Sequence, residues 1–357
     1  MTGDQVAAAL LLSFLVGCAT GGGGGRSHPA IAIDALLAEY AGPAMPGASV
    51  IVIENGRVIL RRAYGMADLE RHVAATPETD YRLASVSKQF TAMAIMLLAR
   101  DGKVRYDQPV REILPELPAA AERVTLLHLL NHTSGLPDYE DLIPDSQTVQ
   151  VSDRDVLALL ARKDTLYFPA GSTYRYSNSG YVLLGLIVER VSGVSFPEFL
   201  RARIFAPLGM TASVAHVEGA DTVPHRAYGY SPKDGSAGGG FAATDQSVTS
   251  ATLGDGGIYT NVDDLVRWDQ ALYGEGLVDA ATLRLAIIPP YSFGWFVDTY
   301  RNERRWRHTG ETSGFRNAIQ RFPDRRFTVI VLTNRNGGEP AAIAERIADA
   351  LLFEAAR

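Results

Sequence analysis

The sequence is poor in cysteine. It has one, Cys18, among 357 residues, so no intrachain disulfide forms and no pair of thiolates offers a structural zinc site. It also lacks a basic run. Lys and Arg number 34 against 40 Asp and Glu, a net charge of -6, which leaves no electrostatic footprint for nucleic acid as a partner. There is no Gly-x-Ser-x-Gly, so a strand-to-helix nucleophile elbow is missing. There is no His-Glu-x-x-His; His128 and His132 stand at helical spacing with Leu129-Leu130-Asn131 between them, and read as structural histidines rather than metal ligands. No internal repeat is visible, and the only low-complexity stretch is Gly21 to Gly25. No metal and no cofactor is expected.

What is present begins at the N-terminus. Val6 to Val16 is apolar over about the length of a signal h-region, too short to span a bilayer. It runs into Leu15-Val16-Gly17-Cys18, which resembles a bacterial lipoprotein signal, with Cys18 as the lipid-bearing residue and the glycines as a flexible tether. Met1 to Gln5 carries no Lys or Arg, a departure from such signals. The expectation is export to the bacterial cell envelope, with a lipid anchor holding the protein at the membrane on the periplasmic side.

With 46% hydrophobic residues, the remaining chain can bury a large core. Ile31 to Tyr40 reads as a short amphipathic helix. Asn55-Gly56 separates the apolar runs Ala48 to Glu54 and Val58 to Ala63, a hairpin signal. Helices are expected over Gln89 to Arg100, Thr125 to Leu130, Ser152 to Arg162, Ser179 to Ser192, Ser195 to Phe205, Asp263 to Tyr273 and Asp279 to Ile288. Ser152 and Asp155 form a capping-box pattern. A hairpin arm is expected around His225 to Gly235, and the glycines near Gly254-Asp255-Gly256-Gly257 suggest a backbone that approaches something closely. Four strands then follow, Phe293 to Tyr300, Arg304 to Thr309, Phe315 to Phe322 and Phe327 to Thr333, before a helix over Pro340 to Glu354. This order predicts an α+β fold. One antiparallel sheet joins the early hairpin to the late meander, and a helical lobe is inserted. The expected organisation is a leader and tether over 1–29 and one domain over 30–357, with an α/β lobe of about 30–105 and 250–357 and a helical lobe of about 106–249.

Ser85-Val86-Ser87-Lys88 opens the helix expected over Gln89 to Arg100. Residues three apart share a helix face, so Lys88 lies beside Ser85. A serine alcohol is a weak nucleophile until a neighbouring base takes its proton. Lysine serves as that base when burial or nearby cations let it shed its own proton, and the apolar helix favours desolvation. Alone, the pair is equally a capping serine and a solvated lysine. Two further stretches accompany it: Tyr176-Ser177-Asn178 before a helix, and His308-Thr309-Gly310 at the end of a strand.

Together, in this order, the three stretches resemble the motifs of the penicillin-binding protein and serine β-lactamase superfamily. Leu129 to Pro137, Phe205 to Met210 and Asp263 to Leu272 resemble its branch with class C β-lactamases, D-aminopeptidases and family VIII carboxylesterases. The resemblance covers about residues 30 to 357 and implies a β-lactamase/transpeptidase-like fold. It implies that Ser85 is acylated, that Lys88 holds or accepts its proton, and that Tyr176, with a lowered pKa, acts as general base and then protonates the leaving group. It further implies that Asn178 bonds Lys88 and substrate, and that the N–H groups of Ser85 and Glu311 form the oxyanion hole. His308, Gly310 and Glu311 would border the substrate.

His308 stands where β-lactamases of this branch usually carry lysine. A histidine there is only partly charged near neutral pH, and Glu311 adds an acid beside it. Both weaken the case for an anionic β-lactam. The expected function is a serine hydrolase for esters or D-amino-acid amides and peptides, with weak β-lactam hydrolysis. A true class C-like β-lactamase and a non-catalytic envelope ligand sensor remain open as alternatives.

Overall fold

The computed structural model describes residues 29–354 except 236 and 275. The expected leader, its tether and Cys18 therefore lie outside the described residues.

A seven-stranded antiparallel sheet carries the fold. It contains β1 (Ala48–Glu54) and β2 (Arg57–Tyr64) from the Asn-Gly hairpin. Three small sheets accompany it: β3 (Met66–Asp68) with β4 (Val73–Ala74), β5 (Tyr81–Arg82) and β6 (Val214–Ala215) on either side of β9 (Ile258–Thr260), and β7 (Tyr230–Pro232) with β8 (Phe241–Ala243). The late meander supplies β10 (Tyr291–Ser292), β11 (Trp295–Tyr300), β12 (Glu303–Thr312), β13 (Phe315–Phe322) and β14 (Phe327–Thr333). The spatial order is β10-β11-β12-β13-β14-β1-β2, so β14 joins the two ends of the chain.

Alternation along the central strands decides which side chains face which layer. Val50 and Val52 pair with Val331 and Val329 on one face, and Ile51 pairs with Ile330 on the other. The valine face packs under α1 (Pro29–Leu36) and α10 (Pro340–Ala348), through Ile33, Ile343 and Ile347. The isoleucine face packs against the helix Val262–Ala271 and shares one core with α2 (Lys88–Arg100), whose Phe90, Met93 and Ile95 continue it into the helical region. That region holds α3 (Leu126–Leu130), α4 (Asp153–Ala161), α5 (Asn178–Ser192), α6 (Phe196–Leu200) and α7 (Ala206–Leu208), with α8 (Val262–Ala271) and α9 (Ala280–Ala286) following. The Ser152–Asp155 capping box is formed, and α5 ends on Gly193 at φ +78°, the left-handed cap that glycine permits.

Three local differences from expectation matter for the site. The stretch before Ser85 holds β5, a strand that the sequence pattern does not predict, with Leu83 N–H continuing the pairing to Ile258 O at 2.8 Å. Its partner lies far along the chain, so no local pattern marks it. Ser85 does not open α2. It lies in a tight 3₁₀ turn, Ala84–Ser87, that feeds α2 at Lys88, and Ala84 holds φ +50°. A left-handed alanine costs about 1–2 kcal/mol, which the surrounding packing must offset. The third is β11, which starts at Trp295 because Phe293 and Gly294, at φ +50° and +86°, turn the chain back from β10.

Candidate active site

Four segments fix the turn that carries Ser85. Asn317 on β13 donates to Arg82 O at 2.8 Å, and the Ile258 N–H of β9 donates to Ser87 Oγ at 3.2 Å. Arg82 is 3% exposed and donates through Nη2 to Ser250 O at 2.8 Å, pinning the following glycine-rich segment. On the fourth side stands β12. Its pairing with β11 ends at Arg307 opposite Phe296, so His308 to Thr312 have only β13 beside them. This freed edge packs on the turn. A Cβ on Gly310 would sit 2.0 Å from Leu83 O, so glycine is the residue that lets the strand come this close.

Lys88 is fully buried. Its Nζ lies 3.0 Å from Ser85 Oγ, 2.8 Å from Asn178 Oδ1 and 2.9 Å from Asp255 O. Three polar partners compensate an amine that would otherwise be costly to bury. The Asp255 carbonyl comes from the glycine-rich segment, whose close approach is visible at Gly254: a Cβ there would meet Tyr181 O at 2.3 Å. Asn178 is held from behind, where its Nδ2 donates to Glu140 Oε1 at 3.0 Å and its N–H to Asp138 Oδ2 at 2.7 Å. Desolvation, with Asp138 and Asp255 nearby, pushes the Glu140 carboxyl above its ordinary range.

Tyr176 meets the lysine ring-first. Its centroid lies 5.1 Å from Lys88 Nζ, inside the range where an aromatic face attracts a cation. The ring stacks at 9° and 6.2 Å on Phe296, and lies 4.3 Å from His132 and 6.2 Å from His308.

His308 departs from the expected partly charged, substrate-facing group. It is 2% exposed. Its Nδ1 lies 2.6 Å from Thr309 O and its Nε2 3.2 Å from Tyr291 OH, so the proton on Nδ1 goes to the carbonyl and Nε2 accepts from the phenol. Desolvation, with Lys88 nearby, pushes its pKa down to about 3. The ring is neutral at neutral pH and belongs to the aromatic packing behind Tyr176. The expectation underestimated burial because β10, which delivers Tyr291, is two residues long and leaves no periodic signal.

In front of Ser85 lies a cleft of about 620 Å³, lined by Ser85, Asn178, Glu140, Asp145, Asp255 and Glu311 among others. Arg82 is the only cationic residue among its described lining residues, and its guanidinium is engaged with main-chain carbonyls. Glu311 is exposed, and its carboxylate lies 3.5 Å from Arg316 Nε. Ser85, Lys88, Tyr176, Asn178, Gly310 and Glu311 thus converge, with His308 behind them. Sequence reasoning missed Glu140, Asp138, Asp255 and Tyr291. Asp138 and Glu140 directly follow the Leu129 to Pro137 stretch, which was their one available signal. Asp255 acts through its carbonyl, to which residue type is blind.

The family model described as beta-lactamase matches residues 33–353. The chain belongs to the β-lactamase family. It is 32% identical to a penicillin-binding protein of Bacillus subtilis (strain 168) over 309 residues, 80% of this chain and 68% of that protein. It is 32% identical to a D-aminopeptidase of Cereibacter sphaeroides over 343 residues, 91% of this chain, and spans 63% of that relative's length. Among solved structures, the octameric penicillin-binding protein homologue from Pyrococcus abyssi superposes with a TM-score of 0.77 at 28% identity, covering 91% of this chain and 76% of that one. The D-amino acid amidase from Ochrobactrum anthropi SV3, complexed with L-phenylalanine amide, shares the fold with a TM-score of 0.79 at 24% identity, covering 92% of this chain and all of that one. This β-lactamase-family chain is built on the fold that the penicillin-binding protein homologue and the D-amino acid amidase share.

Proposed function

We propose that this chain is a serine acyl hydrolase that forms an acyl-enzyme on Ser85, and that it acts on esters, or on D-amino-acid amides and peptides, in preference to β-lactams. The observation that carries the mechanism is the set of three contacts around Lys88 Nζ. Asn178 Oδ1 and Asp255 O are acceptors only, so two N–H groups of the amine go to them. The remaining position faces Ser85 Oγ at 3.0 Å. In the neutral amine that position is the lone pair, aimed at the serine proton. Transfer of this proton to Lys88 lets Oγ bond the substrate carbonyl carbon, while the C=O π pair moves onto oxygen. The N–H groups of Ser85 and Glu311 would receive that oxyanion. Collapse expels the amine or alcohol, which takes a proton relayed through Lys88 and Tyr176. Water then attacks the ester of Ser85 by the reverse relay and frees the acid.

Charge supports the substrate class. Glu140, Asp145 and Glu311 line the cleft, and His308 is neutral and buried, so a substrate carboxylate finds no free cation there. A substrate bearing an ammonium group is favoured over an anionic β-lactam. D-aminopeptidases among the relatives and D-amino acid amidases among the fold neighbours point the same way.

The test is a panel of D-alanine amide, p-nitrophenyl butyrate, a D-alanyl peptide and nitrocefin, run beside Ser85→Ala. The reading expects the amide and ester to outpace nitrocefin, and Ser85→Ala to lose at least about 10³-fold on each. Nitrocefin turnover exceeding both would replace it with a β-lactamase. Export and lipidation at Cys18 belong to the same proposal on sequence alone; a Cys18→Ala variant that still partitions with membranes would remove the anchor.

A further inference from the structure

We propose that His132 is a positioning residue for this chemistry: it clamps the main chain on both sides of Tyr176, backs the phenol ring, and thereby sets where Tyr176 and Asn178 stand. The inference rests on the reading above and adds a residue outside the three motifs.

Two bonds make the clamp. His132 O accepts from the Arg175 N–H at 2.9 Å, and His132 Nδ1 accepts from the Ser177 N–H at 3.2 Å. Tyr176 is the residue between those two donors. The imidazole itself is the third contact, 4.3 Å from the Tyr176 ring. One side chain and its own carbonyl therefore fix the two flanking peptides and one face of the phenol.

The local fold delivers His132 to this point. Asn131 caps α3, and His132 follows at φ +55°, with Thr133 N–H bonded to His128 O at 2.9 Å. This is the left-handed position after a helix, usually glycine or asparagine. A histidine held there bears strain that the ring contacts must offset. Thr133 O accepts from Gly171 N–H at 2.8 Å, anchoring the same turn to the segment that leads into Tyr176.

The clamp needs a neutral ring. Because Nδ1 accepts, the proton sits on Nε2. A second proton would set an N–H against the Ser177 N–H and release the peptide. The ring is 2% exposed. It is faced by Tyr174 and Tyr176 from the motif segment, Tyr181 from α5 and Tyr291 from β10. Lys88 from α2 and His308 from β12 are the neighbouring basic groups. Desolvation, with these two, holds His132 well below the ordinary histidine range.

Two substitutions separate the clamp from mere packing. His132→Asn keeps an acceptor near the Nδ1 position and tolerates the left-handed backbone; His132→Gln moves its acceptor away. Each is assayed with p-nitrophenyl butyrate, with kcat expressed per Ser85 site titrated by a fluorophosphonate probe. His132→Gln is expected to lose about 10²-fold in kcat at a KM within about twofold, with a shifted pH profile, and His132→Asn to recover at least tenfold of that loss. A purely structural residue would lower the number of titratable sites and leave kcat per site and the pH profile alone; that result overturns the proposal. Should neither variant fold, ¹⁵N-histidine NMR of the wild-type protein decides. The proposal expects the ring to stay the neutral Nε2–H tautomer as pH falls through the ordinary histidine range, and titration of His132 near 6.5 overturns it. Full activity in Ser85→Ala would instead sink the underlying mechanism, a failure distinct from wild-type kinetics in the His132 variants.

Discussion

Glu140 Oε1 accepts a 3.0 Å hydrogen bond from Asn178 Nδ2, and through that amide it orients the oxygen facing Lys88. One carboxylate thus both lines the cleft and fixes which way the amide points. Glu140→Gln keeps a group that can accept from Asn178 but removes the charge. KM for D-alanine amide should rise about tenfold, the worth of roughly 1.4 kcal/mol, while p-nitrophenyl butyrate, which has no ammonium, changes by less than about threefold. Equal losses on both substrates in steady-state assays would mean that the charge does not select the substrate.

Gly310 presses the end of β12 onto Leu83. A methyl group there would have to fit where Leu83 O stands 2.0 Å away. Gly310→Ala should therefore lever the strand off the turn that carries Ser85. We expect a stability loss of about 2–4 kcal/mol and at least about a hundredfold lower kcat/KM in the fraction that remains folded. Urea unfolding and initial rates check both; wild-type values in each would show that the turn and strand separate without consequence.

The buried His308 carries a pH signature. Its folded pKa, about 3, lies below the unfolded value near 6.5. The unfolded chain then binds more protons between those two values, so stability falls as pH drops from about 6.5 towards about 3, by about 1.4 kcal/mol per unit for this one group. His308→Gln should flatten the pH dependence of the urea midpoint between pH 7 and 5 relative to wild type. Parallel profiles for the two proteins would contradict a neutral buried ring.

Arg321 and Asp269 supply a control remote from the chemistry. Both are buried, and Arg321 Nε meets Asp269 Oδ1 at 2.6 Å, with Thr328 donating to the same oxygen at 2.7 Å. Removing one partner strands a buried charge. Asp269→Ala should cost about 3–5 kcal/mol and leave kcat per titrated Ser85 site unchanged. A stable variant would mean that water or a rearranged side chain satisfies the guanidinium.

Much of the main sheet was legible because its signals are local: Asn55-Gly56 fixes a hairpin, and long alternating strands announce their two faces. The Ser85–Lys88 relation was legible for a similar reason, since three residues of helical backbone bring them together whether the turn is α or 3₁₀. What stayed hidden was non-local. β5 is two residues long and finds β9 across about half of the chain. The Asp255 carbonyl, the Glu140 brace and the burial of His308 under Tyr291 depend on which loops meet in space, and no spacing encodes that. Ala84 at φ +50° was beyond reach for another reason: alanine ordinarily avoids that backbone, so composition argues against what packing enforces.

The place of β14 in the sheet has a bearing on biosynthesis. It lies between β13 and β1, so the N-terminal hairpin has no slot in the sheet until residues 327–333 exist. A polypeptide still emerging from the ribosome at residue 320 already holds the alcohol and the amine, yet its first hairpin must wait for the strand that will receive it. Pairing at such sequence separation is slow to form. Reactivity would then switch on only after synthesis is nearly finished, when the last strand slides into the middle of the sheet.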